Sequence, residues 1–196
     1  MDVIKKMLSD DFKNKIEYWK RLPRNNAEEL KFADDYFDRE LMPARLQAFV
    51  DSQKVEKQYY GMFLTLGTSW QPMALSISVI KPKDIMVMCS ENTLPQLEKL
   101  KEFLPEYANK IRYAFVSKSE SDDIYQVMQE MYDTWHECGN VCVDITGGTK
   151  AMASSAGIMG AILGIDIFYV ESRYIPLYRR PEPGNEELKK IEYPKL

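Results

Sequence analysis

Val141-Cys142-Val143-Asp144-Ile145-Thr146-Gly147-Gly148-Thr149-Lys150-Ala151-Met152 is the stretch whose reading decides the fold. Its first five residues are apolar and β-branched apart from Cys142 and Asp144, which suits a buried parallel strand. Gly147 and Gly148 then break the pattern, so the backbone can turn where a side chain would clash. From Ala151 to Leu163 the residues are small and apolar, as in a helix that lies close to a sheet. Asp166 to Val170 reads as a second strand. The unit is therefore strand, loop, helix, strand, with a Gly-rich polar loop at the carboxyl end of the first strand.

The chemistry of that loop points to an anion, with phosphate the default. A helix N-terminus presents unpaired N–H groups and a partial positive charge. Gly147 and Gly148 let those groups approach a ligand, and Thr146, Thr149 and Lys150 add hydroxyls and a cation. The order Gly-Gly-Thr-Lys lacks the upstream glycine of a Walker A loop. A turn that merely joins a strand to a helix is the plain alternative, and the loop alone leaves it open.

The whole chain sets limits. At 196 residues it suits one domain with a small appendage. Apolar residues make up 45% and charged residues 29%, an ordinary soluble globular balance. A net charge of −4 argues against broad binding to duplex nucleic acid, which needs a basic face, yet allows a small polyanion in a local pocket. Cys89, Cys138 and Cys142 give an odd count and no disulfide framework, which fits a reducing cytoplasm. His136, Cys138 and Cys142 lie close together, but their spacing is that of neither a zinc finger nor a deaminase and no fourth ligand is evident. His136 is the only histidine, which disfavours Ser-His-Asp or Cys-His catalysis. No stretch reaches the ~18 apolar residues of a membrane span, and the charged N-terminus lacks a signal-peptide core.

In chain order, Ile4, Leu8, Phe12, Ile16 and Trp19 form one apolar stripe of a helix expected over residues 2–22. Asn26, with Glu29 three residues on, predicts the capping box of a second helix, which carries Leu30, Ala33, Phe37 and Leu41. Pro43 should kink or restart it before it ends near Lys54. These stripes suit packing against the main domain or a second copy; a partner-docking or membrane-proximal role is the alternative. Tyr60 to Leu66 reads as a strand ending in Gly67-Thr68-Ser69-Trp70-Gln71-Pro72, with Pro72 in the first turn of the next helix. Asp84 to Cys89 and residues 110–116 are further strands, with helices near Leu94 to Leu104 and Ile124 to Trp135. After Val170, proline and charge dominate, as at a domain edge, and Ile191 and Tyr193 suit a short edge strand.

Strict alternation of strand and helix implies an α/β fold: a Rossmann-like parallel sheet of about five to six strands with helices on both faces, preceded by a two-helix segment. The expected division is a helical segment over residues 1–57 and the sheet domain over 58–196. Right-handed crossovers and a strand order of 3-2-1-4-5 put strands one and four side by side, with a crevice between their carboxyl ends. Gly67-Thr68-Ser69 and Thr146 to Lys150 then face each other across it. No G-x-G-x-x-G is present, nor an acidic residue at the ribose position, so a dinucleotide cofactor is not expected, nor any other.

Three segments resemble the CARF family (CRISPR-associated Rossmann fold): Leu64-Thr65-Leu66-Gly67-Thr68-Ser69, Ser90-Glu91-Asn92-Thr93, and above all Asp144-Ile145-Thr146-Gly147-Gly148-Thr149-Lys150-Ala151-Met152. Arg180-Pro181-x-Pro183-Gly184-x-Glu186-x-Leu188 is similar to the segment that ends that domain. The resemblance covers about residues 58–193. It implies a homodimeric sensor of cyclic oligoadenylates, tetra-adenylate above hexa-adenylate, made by type III CRISPR complexes in antiviral defence. It assigns ligand binding to Gly67, Thr68, Ser69, Trp70 and Gln71 after the first strand, and to Glu91, Asn92 and Thr93 after the second. After the fourth it assigns Asp144, Thr146, Gly147, Gly148, Thr149, Lys150 and Met152. Trp70 suits either stacking on adenine or anchoring its loop. Such sensors usually pass the signal to an effector, and no nuclease, deaminase or membrane motif is legible in these residues. The alternative is a ring nuclease. There a ribose 2′-hydroxyl attacks its own phosphate in line, Lys150 offsets developing charge and Ser69 or Thr68 positions the phosphate, with no metal required.

Overall fold

The computed structural model describes residues 8–117, 121–178 and 180–194, and two compact units divide them. One comprises the chain to Lys54 together with Glu171–Glu187; the other comprises Val55–Val170 and the chain from Leu188.

In the first unit, local sequence sets the helix ends. Ser9 caps α1 (Asp10–Arg21), accepting a bond from Phe12 N–H at 3.2 Å, and Leu22 ends it. The expected start at residue 2, and Ile4, lie outside the described residues. Asn26 caps α2 (Ala27–Tyr36) by accepting from Glu29 N–H at 2.9 Å. The return bond of the expected capping box goes one residue early: Asn25 N–H donates to Glu29 Oε2 at 2.7 Å. Phe37–Leu41 then forms a single wide π-helical turn before α3 (Met42–Ser52), which has Pro43 in its first turn. The wide turn is how the helix absorbs a residue with no N–H and a ring that crowds the preceding carbonyls. Phe12, Ile16, Trp19, Phe37 and Leu41 form the core. The return segment, which reads in sequence as an edge or linker, closes this core with the Tyr178 ring tilted against Trp19 at 4.8 Å between centroids. It includes the two-residue strands β6 (Tyr174–Ile175) and β7 (Arg180–Pro181), paired antiparallel.

The second unit is built on β1 (Gly61–Thr65), β2 (Asp84–Cys89), β3 (Ile111–Phe115), β4 (Val141–Asp144) and β5 (Asp166–Glu171). Crossover helices α4 (Gln71–Ile80), α5 (Leu94–Phe103), α6 (Ser121–Trp135) and α7 (Lys150–Ile162) join them. The sheet order is β3-β2-β1-β4-β5-β8, with β8 (Glu187–Ile191) at the edge, so strand pairing matches the topology expected from crossover handedness. The pairings among β1 to β5 are parallel. β1 and β4 are buried throughout, as befits central strands covered on both faces. Phe63, Met88, Val143 and Ile167 meet Met128 and Trp135 of α6 and Met152, Ala156 and Met159 of α7. Each such side chain, fully buried, contributes roughly 1.5–3 kcal/mol. Among the described residues, no helix is long and apolar enough to cross a membrane.

Candidate ligand-binding crevice

The register Leu64↔Asp144 brings the ends of β1 and β4 level, so their exit loops leave the sheet together. The chain runs from β1 through α4 to β2 on one side, and from β4 through α7 to β5 on the other. A crevice at this reversal point is the place where open α/β sheets bind ligands.

The two glycine loops do more than face each other. A Cβ placed on Gly147 would lie 2.0 Å from Thr65 O, and one on Gly67 would lie 3.0 Å from Gly148 N. Gly148 has φ +77°, a left-handed conformation that a side chain would strain. Thr65 Oγ1 donates to Gly147 O at 2.7 Å and ties the two exits across 82 residues of sequence. Thr65 is itself fully buried. No local periodicity singles it out, because its partner is supplied by the loop that follows β4.

Beneath the loop sits Asp144, 0% exposed. Its Oδ1 accepts from Thr146 N–H at 2.7 Å, and its Oδ2 has no hydrogen-bond partner among the described residues. Burial pushes this carboxyl above the usual range, partly offset by hydrogen bonds from Thr146. Thr146 Oγ1 accepts from Val170 N–H at 2.7 Å, pinning the loop to β5. Thr149 caps α7, its Oγ1 accepting from Met152 N–H at 3.2 Å. The N–H groups of Lys150 and Ala151 in that first turn have no intrahelical acceptor and suit an anion. Lys150 is exposed and pairs with no carboxylate among the described residues.

The residues expected at the site differ in burial and place, with Gly67, Thr146 and Thr149 half-buried in the two loops. Thr68, Ser69 and Lys150 are exposed and Gly147 and Gly148 half-buried, together at the crevice. Asp144, Met152, Trp70, Gln71 and Thr93 are buried, and they shape the loops from below. Trp70 is the anchor of its loop: it is 3% exposed, with its ring 4.8 Å from Phe103. This conformation does not present its face to a base. Thr93 caps the turn after β2, its Oγ1 accepting from Ser90 N–H at 3.1 Å and donating to Ser90 O at 2.8 Å. Glu91 and Asn92 project from that turn, both exposed. They line an open cleft of about 440 Å³ at the carboxyl ends of β2 and β3, together with Phe115, Ser117 and Asp123. Those last three carry no motif and were legible in sequence only as a strand end and a polar loop.

His136 and Cys138 lie exposed at the end of α6, while Cys142 is buried in β4 with its thiol pushed well up, chiefly by burial.

The sequence matches no protein-family model and no curated protein. Solved structures share the fold. Can2 from Sulfobacillus thermosulfidooxidans, in complex with cyclic tetra-adenylate, aligns with TM-score 0.52 and 17% identity over 58% of this chain and 32% of its own. Protein VC1899 from Vibrio cholerae aligns with TM-score 0.50 and 13% identity over 57% of this chain and 30% of its own. A type III CRISPR defence DNA nuclease activated by cyclic oligoadenylate aligns with TM-score 0.49 and 12% identity, over 82% of this chain and 33% of its own. The aligned region spans about a third of the length of each.

Proposed function

We propose that this protein binds a cyclic oligoadenylate second messenger, as the sensing module of a type III CRISPR antiviral effector. One observation carries the reading: the Gly147–Gly148 turn is seated on the exit of β1, so two polar loops and a helix N-terminus form one crevice. Thr68 and Ser69 offer exposed hydroxyls there, and Lys150 offers a cation. Together with the α7 N-terminus they suit phosphodiester oxygens. The fold shared with Can2, which holds cyclic tetra-adenylate, agrees with this assignment. A symmetric ring suits two copies of the crevice about a two-fold axis, so a homodimer is part of the proposal. The signal then passes to an effector domain or protein beyond the sheet unit.

In this reading the protein's own groups hold the ring. Lys150 and the first-turn N–H groups of α7 offset phosphate charge, and Thr68 and Ser69 orient the phosphates. The rival outcome is cleavage. A 2′-hydroxyl oxygen bonds to the adjacent phosphorus, the P–O5′ bond breaks, and a 2′,3′-cyclic phosphate and a 5′-hydroxyl result. The same residues serve both outcomes, so the test must read products as well as affinity. Cyclic tetra- and hexa-adenylate are titrated by calorimetry in EDTA against wild type and Lys150→Ala, and the products are separated by chromatography. One intact ring per two chains, with binding ~10–100-fold weaker in the variant, supports the sensor. Linear products with a cyclic phosphate make it a ring nuclease. Absence of binding at micromolar concentration overturns the assignment.

A further inference from the structure

We infer that Thr65 is a positioning residue for the ligand: its hydroxyl locks the Gly147–Gly148 peptide so that the N–H of Gly148 faces the crevice and the carbonyl of Gly147 does not. This rests on the proposed reading of the crevice as the site of a cyclic oligoadenylate.

The turn needs a lock. A peptide flanked by two glycines rotates with little steric penalty, because neither residue has a Cβ to forbid one sign of φ. Across a trans peptide the C=O and the next N–H point in opposite directions. One orientation of this peptide therefore shows a ligand an N–H, and the flipped one shows it a carbonyl oxygen. An N–H attracts a phosphate, and a carbonyl oxygen repels it.

Thr65 selects the first orientation. Its Oγ1 donates to Gly147 O at 2.7 Å, so the N–H of Gly148 points away from Thr65, which is fully buried. Threonine is branched at Cβ, which restricts its rotamer and aims the hydroxyl. The backbone beneath is held in a central strand, with Thr65 paired to Met88 on one side and its neighbour Leu64 paired to Asp144 on the other. A Cβ on Gly148 would lie 3.0 Å from Thr65 Cβ, so the turn rests directly on this side chain. From the facing loop, a Cβ on Gly67 would lie 3.0 Å from Gly148 N, and glycine at that position leaves the nitrogen room.

The neighbouring donors show what the orientation serves. The N–H groups of Gly147, Gly148, Thr149, Lys150 and Ala151 follow one another and donate to nothing among the described residues. Each of these residues is half-buried or exposed. Successive free N–H groups in a turn that opens a helix make a concavity for phosphate oxygens. A flipped Gly147–Gly148 peptide would set a carbonyl oxygen in the middle of that row. Lys150 adds charge to the row, whereas Thr65 fixes its geometry from behind without touching the ligand.

The test combines calorimetry with amide proton shifts of isotope-labelled protein. Thr65→Val keeps the shape of the side chain and removes the donor, while Thr65→Ser keeps the donor. For whichever of cyclic tetra- and hexa-adenylate wild type binds, Thr65→Val should weaken binding ~10-fold or more, the worth of a bond to a charged group. Thr65→Ser should stay within about threefold of wild type. Asp166→Asn, a destabilising change at the start of β5 and away from the strand exits, should bind within about twofold of wild type, which separates the lock from loss of stability. The Gly148 amide proton should move downfield when wild type takes the ring, as in a bond to phosphate, and this reading requires no variant to fold. Thr65→Val affinity within about threefold of wild type, or a Gly148 amide unmoved in ring-bound wild type, overturns the lock and leaves the crevice reading intact. Failure of wild type to bind either ring removes the crevice reading, and this inference with it.

Discussion

Replacing Gly147 by alanine tests whether the two glycine loops are in contact. The added Cβ would sit 2.0 Å from Thr65 O and 3.2 Å from Thr65 C. A carbon and a carbonyl oxygen keep ~3.3 Å when not bonded, so the loops must part by about 1.3 Å. The obstacle is backbone of a central strand, so no side chain can swing aside. Overpacking of this kind costs ~1–3 kcal/mol. Parting the loops also loosens the bond from Thr65 Oγ1 to Gly147 O, worth ~1 kcal/mol. The sum, ~2–4 kcal/mol, lowers the melting temperature by roughly 4–16 °C for a protein of this length. The shift also exceeds the ~0.5 Å tolerance of a built binding site, so ring affinity should fall ~10-fold or more at a temperature where the variant remains folded. Gly157→Ala is the control, since its Cβ meets only Ile145 Cδ1 at an ordinary 3.7 Å. In mid-helix that change should stabilise by ~0.5–1 kcal/mol. Thermal melts and ring titrations of both variants decide the matter. A Gly147→Ala protein that melts within 2 °C of wild type (about 0.5–1 kcal/mol) and binds normally would refute the contact.

Three further outcomes are expected. Arg45 Nε donates to Glu186 Oε1 at 2.6 Å with both side chains 1% exposed, so Glu186→Ala should destabilise the helical unit by ~3–5 kcal/mol. The double variant Arg45→Met/Glu186→Leu should recover most of that loss in chemical denaturation; additive losses would count against the pair. At Asp166, burial by itself raises the carboxyl, but hydrogen bonds from Lys190, Tyr59 and Lys57 outweigh it and bring it down to about 2. A folded value below the unfolded ~3.9 stabilises above about pH 4, and that stability is lost as pH falls toward 2. Asp166→Asn should therefore cost ~1–2 kcal/mol at neutral pH, a figure reduced by the half-exposed lysines, and the gap to wild type should close near pH 2. A gap that persists at pH 2 would show that the charge is not its source. Thr149→Ala removes the α7 cap and should cost ~1 kcal/mol, while Thr149→Ser should restore it; equal melts for the two would exclude the capping bond.

Much of this architecture follows from features that act over a few residues. Apolar β-branched runs make the strands, Pro72 opens α4, Asn26 and Thr149 cap their helices, and Gly147–Gly148 ends β4 in a turn. Crossover handedness then carries these local elements to the strand order, and the order brings the two glycine loops to one crevice. Local chemistry likewise marks Thr68, Ser69 and Lys150 as groups available to a ligand. The inward or outward fate of neighbouring side chains is another matter, because distant residues set it. Trp70 lies in a loop of ligand-seeking residues, yet turns inward because Phe103 gives its ring a partner. Thr65 looks like one more strand residue until Gly147 arrives from 82 positions away. Glu186 lies in a proline-rich stretch, and only Arg45, 141 positions earlier, makes it a buried ion-pair partner. The cleft belongs to the same class, for Asn92, Phe115 and Asp123 share no motif and meet where two strands end side by side. Backbone periodicity and turn chemistry are encoded within a helical turn or a strand. Burial, pairing and cavities depend on contacts that exist only once the chain has closed on itself.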